Sequence, residues 1–108
     1  MQTAVQSNSV IPALSALALE SRFAVVQLLT AVAPQGLPAG EIARRLNLRQ
    51  NTMSDHLQIL ARSGLLVAER QSRSIIYRVS SSDVRMLIQS LQKSLDPDAA
   101  ASETSSTN

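Results

Sequence analysis

Residues 39–79, AGEIARRLNLRQNTMSDHLQILARSGLLVAERQSRSIIYRV, decide the fold because two different patterns of apolar residues follow each other there. Up to Gly64 the apolar side chains recur every three or four residues, which predicts α-helices; beyond it they alternate, which predicts β-strands. The polar run 71–74 is expected to form the turn of a hairpin. The predicted elements are a short helix over 39–46, a helix over 50–62, and strands over 66–71 and 75–79.

A tight turn over 48–50 is predicted between the two helices. Asn47 should end the short helix, because asparagine tolerates the left-handed backbone conformation that often ends helices. Gly64 should end the longer one. The apolar stripes expected to face the core are Ile42, Ala43 and Leu46 on the short helix and Met53, Leu57, Leu60 and Ala61 on the longer one.

Further helices are predicted on both sides of this region. Helical spacing of apolar residues predicts two helices, over 10–19 and 21–32. The second has apolar residues around most of its circumference, and Ser21 at its start is a residue able to cap it. The segment 34–38, with two prolines and one glycine, leaves room for a loop with at most a very short strand. A last helix is predicted over 82–95, since Ser80 and Asp83 have the spacing of a capping box.

The predicted fold class is mainly α with a small β-hairpin. About five helices and a two-stranded wing, in this order, make a winged helix-turn-helix. We expect a flexible N-terminus over 1–9, one domain over 10–95, and a disordered tail over 96–108, because the two ends are polar and have few apolar anchors.

Composition excludes several classes of function. The chain has no cysteine, which rules out disulfides, thiolate metal sites and thiol redox switches. With one histidine and no glycine-rich phosphate loop, nothing resembles a catalytic site, so we predict no enzymatic activity, no metal and no cofactor. No signal peptide or long apolar run is found, so we expect a cytoplasmic protein without a membrane partner.

The charge is concentrated in the folded part. The net charge of the whole chain is only +2. Residues 21–95, however, contain all ten basic residues, nine of them arginine, against four acidic ones, a net charge of +6. Arginine suits phosphates and guanine edges, so this distribution favours nucleic acid as a partner; the alternative is a basic surface that only maintains solubility.

The helix over 50–62 has a polar face opposite its apolar stripe. An α-helix fits the major groove of B-form DNA, and short polar side chains on its exposed face can approach base edges and phosphates. The alternative is an ordinary solvated helix face. The residues of this face are Asn51, Ser54, Asp55, Gln58 and Arg62.

Residues 16–79 resemble the ArsR/SmtB family of bacterial transcription regulators. The resemblance rests on four stretches in a specific order and spacing, and on Glu69-Arg70, Arg73 and Ile76-Tyr77 at its end. The stretches are ALESRF (18–23) with Leu28-Leu29, GLPAGEIA (36–43), QNTMSDHL (50–57) with Leu60, and SGLL (63–66).

The resemblance implies a homodimer whose first and last helices pack together and present two recognition helices to a palindromic operator in double-stranded DNA. The apolar stripe of the last helix agrees, since it is longer than a small domain can bury within itself; the alternative is that it only covers the core of one subunit. The implied dimer-forming residues are Ile11, Leu14, Leu17, Val84, Leu87, Ile88, Leu91 and Leu95.

The resemblance also assigns DNA contacts residue by residue: Gln50, Asn51, Ser54 and His56 match the groove-facing positions of the family, and Arg70 and Arg73 match its wing. The other predicted contacts lie on or beside the same helix. The predicted set is Arg49, Gln50, Asn51, Thr52, Ser54, Asp55, His56, Gln58 and Arg62 on or beside the recognition helix, with Arg70 and Arg73 on the wing.

At four positions within the region of resemblance, the residue either has an open role or differs from the one usual in the family. His56 either contacts DNA or is packed beside the core. Asp55 either accepts from a cytosine amine or repels phosphate. Arg49 replaces a common capping serine and is expected to contact phosphate instead, and Ser72 replaces the glycine common in the wing.

The inducing signal, if there is one, is not evident from the sequence. Many family members bind metal or arsenic through cysteines, or zinc through Asp and His on the last helix, whereas this chain has Asp83 there and no histidine. A thiolate-bound metal is therefore not expected as effector. Ser90 and Ser94 lie where some arsenic-responsive members have cysteines, but serine is also ordinary on a helix surface. We predict a DNA-binding repressor; the alternative is a winged-helix protein-interaction module without DNA binding.

Overall fold

A computed structural model describes residues 2–98. Within them lie five helices and one antiparallel sheet, so the predicted fold class is confirmed. Of the tail predicted to be disordered, residues 99–108 lie outside the described residues. The elements are α1 (Gln2–Leu17), α2 (Glu20–Ala31), β1 (Leu37–Pro38), α3 (Ala39–Leu46), α4 (Gln50–Arg62), β2 (Leu66–Gln71), β3 (Ser74–Val79) and α5 (Ser81–Leu95).

The core lies where α2, α3 and α4 meet the base of the sheet. The predicted stripes on α3 and α4 are confirmed, since Ile42, Met53, Leu57 and Leu60 are fully buried. Each such side chain stabilises the fold by about 1.5–3 kcal/mol through burial. The core therefore fixes the rotation of α4 about its axis, and with it the direction of its polar face.

The wing is a three-stranded sheet in the order β1-β3-β2. The very short strand allowed near Leu37 is present as β1, where Leu37 pairs with Tyr77. Just before it, Gly36 has φ +77°, and a Cβ there would collide with the Tyr77 carbonyl oxygen and with Cγ of Arg78. Only glycine allows this approach, so the link between α2 and α3 lies directly against the wing.

Two positive φ angles place the turns around the proposed DNA-reading elements. Asn47 is the C-cap of α3 with φ 56° and ψ 49°, as its amide side chain predicted. In the hairpin, Gln71 pairs with Ser74, which leaves Ser72 and Arg73 as a two-residue turn. Ser72 has φ 61°, a conformation for which glycine is the usual residue.

The boundaries of the first two helices differ from the prediction. Helix α1 extends from Gln2 to Leu17 instead of residues 10–19, because the apolar spacing marks only the part that the core covers, around Ala13 and Ala16. The flexibility expected of residues 1–9 stays a prediction. Helix α2 begins at Glu20 with Leu19 as its N-cap, so the capping role expected of Ser21 was wrong.

Helix α2 is also less enclosed than predicted. Val25, Val26 and Leu29 are buried, but Phe23 is 49% exposed. Its apolar residues therefore cover two faces, of which only one meets the core.

The start of α5 was predicted correctly in position but not in detail. The helix begins at Ser81 with Ser80 as its N-cap, one residue before the predicted start. The Ser80 hydroxyl donates to the Asp83 carboxylate instead of accepting from a backbone amide, while the Ser80 amide donates to the Leu65 carbonyl at 2.9 Å. The last bond ties α5 to the base of the wing.

Among residues 2–98, no single helix is long and apolar enough to cross a membrane. Within that described part of the chain, one pair of segments, Val10–Leu17 and Glu20–Ala31, reaches that length and hydropathy together, and the two bend by 99°.

Candidate nucleic-acid interface

The polar face of α4 is fully presented to solvent. Helix α3 and the core hold α4 on its opposite side, where Met53, Leu57 and Leu60 are buried. Seven predicted contact residues of α4 are exposed: Gln50, Asn51, Thr52, Ser54, Asp55, Gln58 and Arg62. Their amide, hydroxyl and guanidinium groups are the groups that read base edges and phosphates in a major groove.

The N-terminus of α4 is capped weakly. Arg49 is the N-cap, with φ −67° and ψ 147°, and makes no capping bond with its side chain. The Thr52 amide instead donates to Oδ1 of Asn51 at 2.9 Å. Arg49 itself is exposed, so the first turn of the helix combines a cation with backbone amides that can meet a phosphate.

His56 does not share the exposed face. It is 8% exposed, and its Nε2 lies 2.9 Å from Oγ of Ser21 on α2. Burial lowers the pKa of His56, and the charge of Arg22 lowers it further, against a smaller opposing effect of Asp55. Of the two roles left open by the sequence, this geometry supports the packed one, because an enclosed imidazole cannot reach a groove without leaving the core.

The wing presents two arginines in different ways. Arg70 pairs with Ile75, on the face of the hairpin whose inner end is the buried Leu66. Arg73 lies in the two-residue turn, and both arginines are exposed. On the other face, Glu69 forms a 2.6 Å ion pair with Arg78, which balances that guanidinium within the hairpin.

A second cluster of charge lies on α3 and was not among the predicted contacts. Nε of Arg44 donates to Oε1 of Glu41 at 3.0 Å, and Nη2 of Arg44 donates to Oε2 of the same carboxylate. Nε of Arg45 also donates to Oε2, at 2.7 Å. These bonds lower the pKa of Glu41 to about 2. The sequence placed both arginines on the outer face of this helix, but Glu41 three and four residues before them was the signal for an ion-pair cluster.

An apolar groove runs between α1, α2 and α5 and has a volume of about 760 Å³. We call this groove the seam. Six of the eight predicted dimer-forming residues line it, and Phe23, which the sequence prediction missed, lines it from α2. The six are Leu14, Leu17, Val84, Leu87, Ile88 and Leu91.

The predicted dimer-forming residues differ in exposure. Ile11, Ile88 and Leu95 are 68%, 56% and 76% exposed, which is unusual for large aliphatic side chains. Leu87 lines the groove but is itself buried. Ile11 and Leu95 do not line the groove, and they extend the uncovered apolar surface beyond it.

Comparison with known proteins gives relatives for this arrangement. Residues 17–69 match a family model described as a helix-turn-helix domain. The chain is 34% identical over 80 residues to the transcriptional activator HlyU of Vibrio cholerae, covering 74% of this chain and 71% of that protein. It is 33% identical over 52 residues to the biofilm growth-associated repressor of Agrobacterium fabrum, covering 48% of this chain and 44% of that one.

A solved structure agrees in fold. The homodimeric winged helix-turn-helix DNA-binding domain of Mb0332 from Mycobacterium bovis, a possible ArsR-family regulator, superimposes with a TM-score of 0.66 at 29% identity. The match covers 86% of this chain and 83% of that one. With the relation to HlyU and the elements described above, the chain belongs to the ArsR/SmtB family of winged helix-turn-helix transcription regulators.

Proposed function

We propose that this protein is a homodimeric repressor that binds a palindromic operator and blocks transcription by occupying it. The observation behind the proposal is that one subunit exposes two extended surfaces, one polar and one apolar. The face of α4 is polar and exposed, and the seam is apolar and exposed.

Pairing of two seams supports the dimer. Large apolar patches on a small protein commonly mark an interface, and a homodimer uses the same patch on both subunits. A shared seam places two α4 helices at a fixed separation, and two half-sites on one side of B-form DNA require about 34 Å.

The charges around α4 support DNA as the partner. Arg49 and Arg62 lie near its two ends, and Arg70 and Arg73 lie on the wing. None of these four arginines takes part in the ion pairs described above. Guanidiniums at the flanks of a polar helix can bind phosphates on both sides of a groove while the helix reads bases.

Repression by occlusion is the simplest outcome for such a dimer, since it requires only binding at a promoter. Run-off transcription from a template whose operator overlaps the promoter distinguishes the two signs of regulation. Repression predicts less transcript as the protein concentration rises through the operator affinity; a rise in transcript contradicts it and indicates an activator.

The decisive test of the DNA partner is selection of bound sequences from random duplexes, followed by mobility-shift titrations at several salt concentrations. The proposal predicts inverted half-sites about one helical turn apart, with affinity that falls steeply as salt rises. A protein-interaction module predicts no enriched sequence and no salt-sensitive binding to any duplex, and that result would rule out the proposal.

A further inference from the structure

The charge cluster on α3 has a feature that the proposed DNA contacts do not explain. One carboxylate, Glu41, binds two guanidiniums, yet the Arg44 side chain is 70% exposed. Two hydrogen bonds, from Nε and Nη2 of Arg44 to the Glu41 carboxylate, hold the guanidinium in place, while most of the side-chain surface faces solvent. A fixed, exposed guanidinium of this kind is available to a second anion if the carboxylate gives way.

One side of α3 lies against the start of α4. A Cβ added to Gly40 would be 3.5 Å from Nε2 of Gln50, so this side of α3 touches the first residue of α4. Arg44 follows Gly40 by four residues and therefore lies on the same side of α3, one turn further on. Arg45 follows by five residues and lies further around the helix.

The carboxylate of Glu41 offsets part of the positive charge that the two arginines would otherwise present to a polyanion. Glu41 stays ionised throughout the neutral pH range, since its pKa is about 2. Its negative charge repels nearby phosphates and competes with them for Arg44. The cluster contributes little to folding, because exposed ion pairs on a helix have small effects on stability.

We propose that Glu41 limits the affinity for DNA by retaining Arg44, and that in the complex Arg44 exchanges the Glu41 carboxylate for a backbone phosphate beside the N-terminus of α4. Arg44 is then a further DNA contact, and Glu41 is the residue that sets how strongly it is used. This inference rests on the proposed DNA binding.

The experiment is a double-mutant cycle, measured by fluorescence anisotropy with the selected operator duplex at several salt concentrations. The proteins are the wild type, Glu41→Gln, Arg44→Gln and the double variant, with Arg45→Gln as the matched control. That control removes the same charge from the same ion-pair cluster, at the next position around α3. Circular dichroism checks that every variant is folded.

We expect Glu41→Gln to tighten binding by about three- to tenfold and Arg44→Gln to weaken it by a similar factor. The slope of log affinity against log salt should fall by about 0.9 per subunit in Arg44→Gln. Glu41→Gln should have much less effect in the Arg44→Gln background, and Arg45→Gln should bind within about twofold of the wild type.

Three results overturn the inference while leaving DNA binding intact: Glu41→Gln within twofold of the wild type, the same gain with and without Arg44, or an equal loss in Arg44→Gln and Arg45→Gln. A wild-type protein that shows no salt-dependent binding to duplex DNA refutes the proposed function, and the inference with it.

Discussion

Ser21 Oγ on α2 and His56 Nε2 on α4 lie 2.9 Å apart and share a hydrogen bond. The bond joins a helix that borders the seam to the helix with the proposed base-reading face. Since His56 is buried, the bond is shielded from water and helps to fix the position of α4 relative to α2.

Stability should depend on pH through His56, the only histidine of the chain. Its pKa in the folded protein is lowered from 6.5 by burial and by Arg22, so the unfolded chain binds the proton more readily. The free energy of unfolding should be highest above about pH 6.5 and fall as the pH drops towards the lowered pKa.

Urea denaturation between pH 5.5 and 8 measures this dependence. The variant His56→Gln keeps a hydrogen-bonding group but does not titrate, so its stability should vary much less over the same range. A wild-type stability that stays constant down to pH 5.5 contradicts the prediction.

Arg70→Ala with Arg73→Ala should weaken binding to every duplex by a similar factor, because the wing is proposed to bind backbone phosphate. Removing one arginine–phosphate interaction lowers the salt slope by about 0.9, and a dimer carries each substitution in both subunits. Mobility shifts at several salt concentrations give the slope. Arg85→Ala, an exposed arginine on α5, is the control and should keep the wild-type slope; unchanged binding in the double variant means that the wing was assigned wrongly.

Gln50→Ala should relax sequence preference at one position of each half-site. A bidentate contact between glutamine and adenine discriminates by about 1–3 kcal/mol, whereas affinity for unrelated duplexes should stay nearly constant. Selection from random duplexes gives the preference. Gln89→Ala, on α5 and exposed, should select the wild-type operator, and a Gln50→Ala protein that does the same argues against base reading by Gln50.

Ile88→Glu should separate the proposed dimer, because it places a charge in the seam. The monomers should stay folded, because the Ile88 side chain is already 56% exposed in the single subunit. Sedimentation velocity measures the mass, and the affinity for a two-half-site operator should fall much more than that for one half-site. Gln89→Glu adds the same charge one residue further on and should stay dimeric. If Ile88→Glu remains a dimer, the subunits do not pair through the seam.

Ser72→Gly should stabilise the protein, because Ser72 has φ 61° and the left-handed conformation costs a residue with a Cβ about 1 kcal/mol. Thermal unfolding measures the change. Ser74→Gly, in the regular part of β3, should destabilise it instead, since glycine weakens strands. A lower melting temperature for Ser72→Gly contradicts the prediction.

The local pattern of the sequence predicted most of the fold, because α3, α4 and the hairpin each have one side in the core. Asn47 was read correctly since its conformation follows from its own side chain. Ser21 was read wrongly because its partner, His56, is 35 residues away in the chain, and no local pattern reports such a contact.

The same difference applies to the candidate interface. Helical spacing placed Asn51, Ser54 and Gln58 on one face, and the structure has all three exposed. Spacing also placed Arg44 outside but did not show that Gly40, one turn before it on α3, lies against Gln50, because that depends on how α3 crosses α4. The sequence also did not predict that Phe23 on α2 is exposed, because an apolar residue gives the same pattern whether it packs in the core or lies on the surface.

The contact between Gly36 and β3 has a mechanical consequence. The segment that enters the helix-turn-helix is also the outer strand of the sheet, so a displacement at the start of α3 would be passed directly to the base of the hairpin. A movement of α2 would then displace α3, α4 and the wing together. In the proposed dimer, regulation of this kind would change the distance and angle between the two DNA-binding surfaces more than the shape of either surface.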